Sequence, residues 1–254
     1  MAVTIKSKHE IQLMREAGKR LEDVHNQLAE IIRPGISTLE IDQFGEKAIR
    51  AYGCIPNFLN YNGYPASICV SVNDEVVHGI PKKNRILQEG DIVRLDAGLI
   101  YEGYHSDAAR TYGVGKISDE AARLIRVTRE SFFEGIKLAQ PGNHLFDISE
   151  AIQNHVESNG FSIVRDLVGH GIGTHLHEDP QIPNFKEKRK GMKLRPGMTL
   201  AIEPMVNEGT FEVEWLDDDW TVVTADGSLA AHYENTIAIT EDGYEILTLS
   251  DKED

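Results

Sequence analysis

Apolar residues recur at helical spacing from Ile11 through Met14, Ala17, Leu21, Val24, Leu28 and Ile31. That is the stripe a helix buries on one face. Ser7 and Glu10 stand before it as a capping box, in which each side chain satisfies an orphan backbone donor. Pro34-Gly35 ends the run. A second helix is predicted from Ser37, with Glu40 completing another capping box. Its apolar positions are Leu39, Ile41, Phe44 and Ala48, and Gly53 stops it. A third helical stretch runs from about Asp119 to Ala139 and stops at Pro141-Gly142. A fourth begins near Phe146 and stops at Gly160. Short β-branched runs predict strands at residues 67–73, 91–97, 199–202, 220–225 and 236–240. Gly-rich turns such as Glu102-Gly103-Tyr104 and Asp226-Gly227-Ser228 join them, which favours antiparallel pairing.

The pattern repeats itself. Pro34 and Pro141, Gly35 and Gly142, and Gly53 and Gly160 each lie 107 positions apart. So do Leu87 and Leu194, Gly90 and Gly197, and Asp96 and Glu203. Six landmarks at one offset imply two homologous halves, about 1–115 and 116–254, each helix–helix followed by strands. The expected architecture is α+β: helices packed on a mainly antiparallel sheet, in one domain spanning 1–254. A single active site would lie where the halves meet.

Composition narrows the partners. Asp and Glu number 41 against 26 Lys and Arg, a formal charge of −15. This argues against a nucleic-acid binder, which needs a basic footprint, and against binding an anionic membrane surface. No window approaches a membrane span, and residues 1–6 lack the apolar core of a signal peptide. The two cysteines, Cys54 and Cys69, are too few for a disulfide framework. A cytoplasmic protein is expected. The polar tail, residues 250–254, is expected to fray.

The acids suggest the chemistry. Asp96 and Glu203 each end an apolar strand, where a carboxylate is costly unless it is paired or holds a cation. Each half supplies a second acid after a turn: Asp107 after Asp96, and Glu234 after Glu203 across a longer hairpin through residues 215–220. Four converging carboxylates need cations. Oxygen donors suit hard or borderline ions such as Mn or Fe(II). Two ions about 3.5–4 Å apart, bridged by carboxylates, are an arrangement for hydrolysis. The cluster Gly169-His170-Gly171-Ile172-Gly173-Thr174-His175-Leu176-His177 offers nitrogen, with His175 and His177 on one face if it is extended. His78, between apolar residues, reads by itself as a core histidine. Cys69 reads as strand packing, not as a nucleophile. No serine-hydrolase elbow and no phosphate loop is present.

With Tyr61-Asn-Gly-Tyr64-Pro, His78-Gly-Ile-Pro, Asp96-Ala-Gly, Ser106-Asp107, Gly169-His170-Gly-Ile-Gly, Leu176-His177-Glu, Ala201-Ile-Glu203-Pro and Tyr233-Glu234-Asn-Thr, the whole chain resembles the type I methionine aminopeptidases. These are metallopeptidases of the pita-bread fold, itself made of two pseudo-symmetric halves. The resemblance implies removal of N-terminal methionine from nascent polypeptides, at the ribosome, before a small second residue. It implies two divalent ions (Mn, Fe(II) or Co) on Asp96, Asp107, His170, Glu203 and Glu234. Asp107 and Glu234 would bridge them. His78 and His177 would contact substrate near the scissile bond, and Glu203 would move a proton from water toward the leaving amine. Phe58, Tyr61, Tyr64, Cys69, Leu176 and Trp220 would line the methionine pocket. Leu176, Phe58 and Asn62 depart from the residues common there: an aromatic, a small residue and a histidine. A monomer is expected. The nearest rival, a proline-specific peptidase of the same fold, carries a large N-terminal domain for which 254 residues leave no room. A non-catalytic binding module would have lost metal ligands, and all five stand here.

Overall fold

The computed structural model describes residues 3–249. The expected fraying of residues 250–254 lies outside them. Four helices form: α1 (Lys8–Ile31), α2 (Thr38–Ala51), α3 (Asp119–Ile136) and α4 (Leu145–Ser158). Both predicted capping boxes are present, Ser7 with Glu10 and Ser37 with Glu40. α3 is shorter than its apolar pattern, which runs to Ala139. After Ile136 the chain tightens into turns, with Leu138 N–H donating to Gly135 O at 3.0 Å. Periodicity alone does not mark that change.

Among the described residues the main sheet has nine strands, all paired antiparallel. Ile92–Tyr101 and Tyr104–Gly113 form a long hairpin. Tyr104–Gly113 pairs with Glu234–Ile239, which pairs with Thr199–Ile202, then Gly169–Gly171, then Glu178–Ile182. Ile68–Val72 lies on the other edge of Ile92–Tyr101. The predicted extra hairpin is also present, as Val213–Trp215 paired with Val222–Thr224. The architecture is the expected α+β arrangement, helices packed on a mainly antiparallel sheet.

The period-2 alternation of strands divides core from site. Val93, Leu95, Ala97 and Leu99 join the apolar cluster under α1 and α2, as does Ala108. Asp96 and Asp107 therefore face the other way. Leu200, Ile202, Ile237 and Ile239 join the cluster under α3 and α4. Glu234, Thr236 and Ala238 share the opposite parity of their strand, and Glu203 continues that of Ala201.

The N-terminal segment straps the sheet. Lys6 N–H donates to Gly197 O at 2.7 Å. Its Nζ meets Glu178 Oε2 at 2.5 Å, with side chains 4% and 9% exposed. Glu178 Oε1 in turn accepts from His175 N–H at 3.3 Å, so the strap holds the bend that carries His177. Removing one partner of so buried a pair strands the other charge. Lys6→Met is expected to cost about 3 kcal/mol in urea unfolding. Lys6→Met with Glu178→Leu should recover much of it. A single variant as stable as wild type would show that the pair contributes nothing.

Candidate metal centre and substrate pocket

One cavity of about 340 Å³ is lined by every residue that the resemblance assigns to the site, while His175 is not among its lining. Asp96 and Asp107 reach it from the long hairpin. Asp96 pairs with Ala109 and Asp107 with Gly98, so the two acids are diagonal neighbours on one face. Glu203 follows Thr199–Ile202, and Glu234 begins the neighbouring strand, where Asn235 pairs with Ile202. The two glutamates are not tips of a simple hairpin. Between them the chain leaves the sheet, adds strands to two small three-stranded sheets completed by Ser162–Ile163 and Glu75–Val77, and returns.

His170 comes from Gly169–Gly171. A Cβ on Gly169 would lie 2.4 Å from Ala201 O, and one on Gly171 2.2 Å from Asp179 O. Only glycine lets this strand lie so close to its neighbours. The ring Nδ1 of His170 lies 2.9 Å from Gly171 O. A carbonyl only accepts, so the proton sits on Nδ1 and Nε2 keeps its lone pair. Nε2 stands 3.7 Å from Glu203 Oε1 and 3.9 Å from Asp107 Oδ2.

The electrostatics are those of a cation site. Burial pushes the Asp96 carboxyl up to about 7. Asp107, Glu203 and Glu234 are pushed well above the ordinary range by burial first, then by one another's charge. Arg110 partly opposes this at Glu234, whose carbonyl it also binds at 2.5 Å. Burial holds the His170 imidazole down at about 3, in the neutral form that binds metal. Oδ1 of Asp96, Oδ1 of Asp107 and Oε1 of Glu234 are buried without a hydrogen-bond donor. Such orphaned oxygens cost free energy unless something fills the space. Two triplets bring ligand atoms within 4.8 Å of one another: Asp107, His170 and Glu234, and Asp96, His232 and Glu234. The residues fit divalent ions.

The remaining walls are apolar and aromatic. Tyr64 and Trp220 meet edge to face at 5.1 Å, and Phe58, Cys69 and Leu176 are buried beside them. Burial pushes the Cys69 thiol well up, so it packs and does not react. His78 has φ 58°, a left-handed backbone that a non-glycine residue adopts only under constraint, and its ring faces Trp220. It is not a core histidine. Residues 173–177 bend instead of extending, so His175 and His177 do not share a strand face. The bend turns Leu176 and His177 together into the cavity. His177 Nδ1 lies 2.7 Å from the Tyr61 hydroxyl, and its ring lies 4.3 Å from that of His170. Asn62 and Asp166 are exposed residues of the cavity lining. His232 also lines the cavity, although no motif marks it. Its only local signal is its place two residues before Glu234, the same-face spacing of a strand.

The model of metallopeptidase family M24 matches residues 12–241. The methionine aminopeptidase of Clostridium perfringens is 57% identical over 97% of this chain and 99% of its own length. Crystal structures of methionine aminopeptidase from Thermotoga maritima and Rickettsia prowazekii superpose with TM-scores of 0.96 and 0.96, at 47% and 38% identity. Each comparison covers 98% of this chain and 100% of the other. The chain belongs to metallopeptidase family M24. Within that family it groups with the methionine aminopeptidases. Among the described residues no helix is long and apolar enough to cross a membrane.

Proposed function

We infer that the chain is a metal-dependent aminopeptidase that releases methionine from polypeptide N-termini and favours a small second residue. The observation that carries this reading is the junction, in one cavity, of four buried carboxylates and the Nε2 of His170 with an apolar, aromatic wall. The chain acts as one catalytic domain, its halves 1–115 and 116–254 contributing two and three of the five ligands. Asp96, Asp107, His170, Glu203 and Glu234 would hold two divalent ions (Mn, Fe(II) or Co), with Asp107 and Glu234 contributing to both. When bound, the ions supply Lewis acidity and make water a nucleophile near neutral pH.

The chain's own residues do the rest. Glu203 takes the proton of the attacking water and passes it to the leaving amine. With Tyr61 donating to His177 Nδ1, Nε2 of His177 carries the proton and donates to the carbonyl oxygen as it gains charge. His78, held neutral by burial, stands at the scissile nitrogen. Asp96 receives the free α-amine, which restricts cleavage to the first residue. Phe58, Tyr61, Tyr64, Cys69, Leu176 and Trp220 enclose the methionine side chain, a flexible thioether suited to aromatic walls. Its substrates are nascent chains at the ribosome, and it works as a cytoplasmic monomer. The two unpaired cysteines support a reducing compartment.

Metal-loaded protein is expected to release methionine from Met-Ala-Ser and to leave an X-Pro peptide intact. Cleavage of the X-Pro peptide alone would overturn this reading. Trp220→Ala removes one aromatic wall and should raise KM for Met-Ala-Ser about tenfold, with a smaller change in kcat. Equal KM in steady-state assays would take Trp220 out of the pocket.

A further inference from the structure

The cavity is lined by a fourth imidazole, His232, that the mechanism above does not use. His232 ends the strand Ala230–His232 and is 1% exposed. Neither ring nitrogen has a hydrogen-bond partner, a costly state for a buried polar group. Nε2 lies 3.8 Å from Glu234 Oε2 and 4.0 Å from Glu203 Oε2. These separations are too long for hydrogen bonds. They are the spacing of donors around a shared ion: two atoms each about 2.1 Å from a metal stand roughly 3–4.2 Å apart. The backbone that carries the ring is fixed on both sides. His232 N–H donates to Thr111 Oγ1 at 2.9 Å, and that hydroxyl donates back to His232 O at 2.8 Å. The triplet Asp96, His232 and Glu234 mirrors the triplet Asp107, His170 and Glu234. They share Glu234, and each contains one imidazole.

We propose that His232 Nε2 is a direct ligand of the ion on the Asp96 side, so that each of the two ions has its own imidazole. The proposal rests on the dinuclear reading above and adds a sixth protein donor to it. A nitrogen donor there shifts that position from hard ions toward Fe(II), Co(II) and later metals. The competing use of the ring is a hydrogen bond from Nε2–H to Glu234, which a glutamine amide can reproduce.

The test uses wild type, His232→Gln and His232→Ala, stripped with chelator and titrated with Co(II) by calorimetry and visible absorption. Wild type is expected to bind two ions. Both variants should hold one ion at wild-type affinity and the other at least tenfold more weakly, with a changed absorption band for that ion. Unchanged affinity for both ions in His232→Gln overturns the proposal, because the ring then serves only as a hydrogen-bond donor. Equal weakening of both ions in His232→Gln also overturns it, since the ring then shapes the whole site. Far-UV circular dichroism checks each fold, and the glutamine variant decides if the alanine variant does not fold. Failure of wild type to bind a second ion would overturn the dinuclear reading itself.

Discussion

Asp107→Asn is expected to abolish methionine release while raising the melting temperature of the metal-free protein. The Asp107 side chain is buried between Asp96 and Glu234, and their charges reinforce burial in opposing its ionisation. Asparagine keeps the shape and removes one of four carboxyls whose ionisation the folded metal-free site opposes. The strand does not depend on the carboxylate, because Asp107 N–H donates to Thr236 Oγ1 at 3.1 Å and that hydroxyl donates to Asp107 O at 2.9 Å. Losing a shared anionic ligand should lower kcat by roughly a thousandfold or more, since each 1.4 kcal/mol of lost transition-state stabilisation is tenfold. Relief of repulsion should raise the melting temperature by about 2–4 °C per kcal/mol gained. Calorimetry of both chelated proteins, with a Met-Ala-Ser assay after metal is returned, reads both effects. A chelated variant that melts below chelated wild type would refute the electrostatic account. Retained full activity would remove Asp107 from the metal set.

The chelated wild type should also lose stability as pH rises above about 6.5. Asp96 titrates at 3.8 when exposed and at about 7 when folded. Between those values the folded chain holds a proton that the unfolded chain has released. Its contribution is therefore fully present below 3.8 and lost as pH rises through 7. Asp107, Glu203 and Glu234 are shifted in the same direction. The buried histidines act oppositely. His25, His170 and His232 fall from 6.5 to about 3, so their contribution is present above 6.5 and lost on acidification. Below pH 6.5 the two sets compete. Above it the carboxylates dominate the change, each by at most about 1.4 kcal/mol per pH unit, and the raised thiols of Cys54 and Cys69 act in the same direction near the top of the range. Urea unfolding at pH 6.5, 7.5 and 8.5 should give falling midpoints with chelator. Added Mn or Co(II) should remove the fall, because the cations match the ionised carboxylates. Chelated protein that grows more stable over this range would sink the assignment.

The helices were legible because their signals are local: a capping serine, a glutamate three residues on, and a Pro-Gly or Gly stop. The carboxylates were legible because alternation in Val93-Arg-Leu-Asp-Ala and Leu200-Ala-Ile-Glu places an acid opposite the apolar parity. What pairs with what was harder to see. Glu203 and Glu234 meet across directly paired strands, and the intervening chain gives no local sign of returning in that register. His177 was legible as a candidate, but its orientation depends on a bend held by Glu178 and Lys6. His232 stayed hidden because Tyr233 separates two strands, and an apolar neighbourhood gives an isolated histidine no mark of chemistry.

The long-range pairing at the centre of the sheet also bears on how the protein folds. Asp107 and its partner Thr236 are 129 residues apart in sequence. That contact cannot form until a loop of this length has closed, and closing it costs entropy before any contact repays it. The helical hairpins and the Ile92–Tyr101/Tyr104–Gly113 ribbon are local and can form early. The seam between Tyr104–Gly113 and Glu234–Ile239 comes late. Until it closes, Asp107 and Glu234 stand apart. Tight uptake of metal thus marks the end of folding, and a partly folded chain would compete poorly for the ions it later needs.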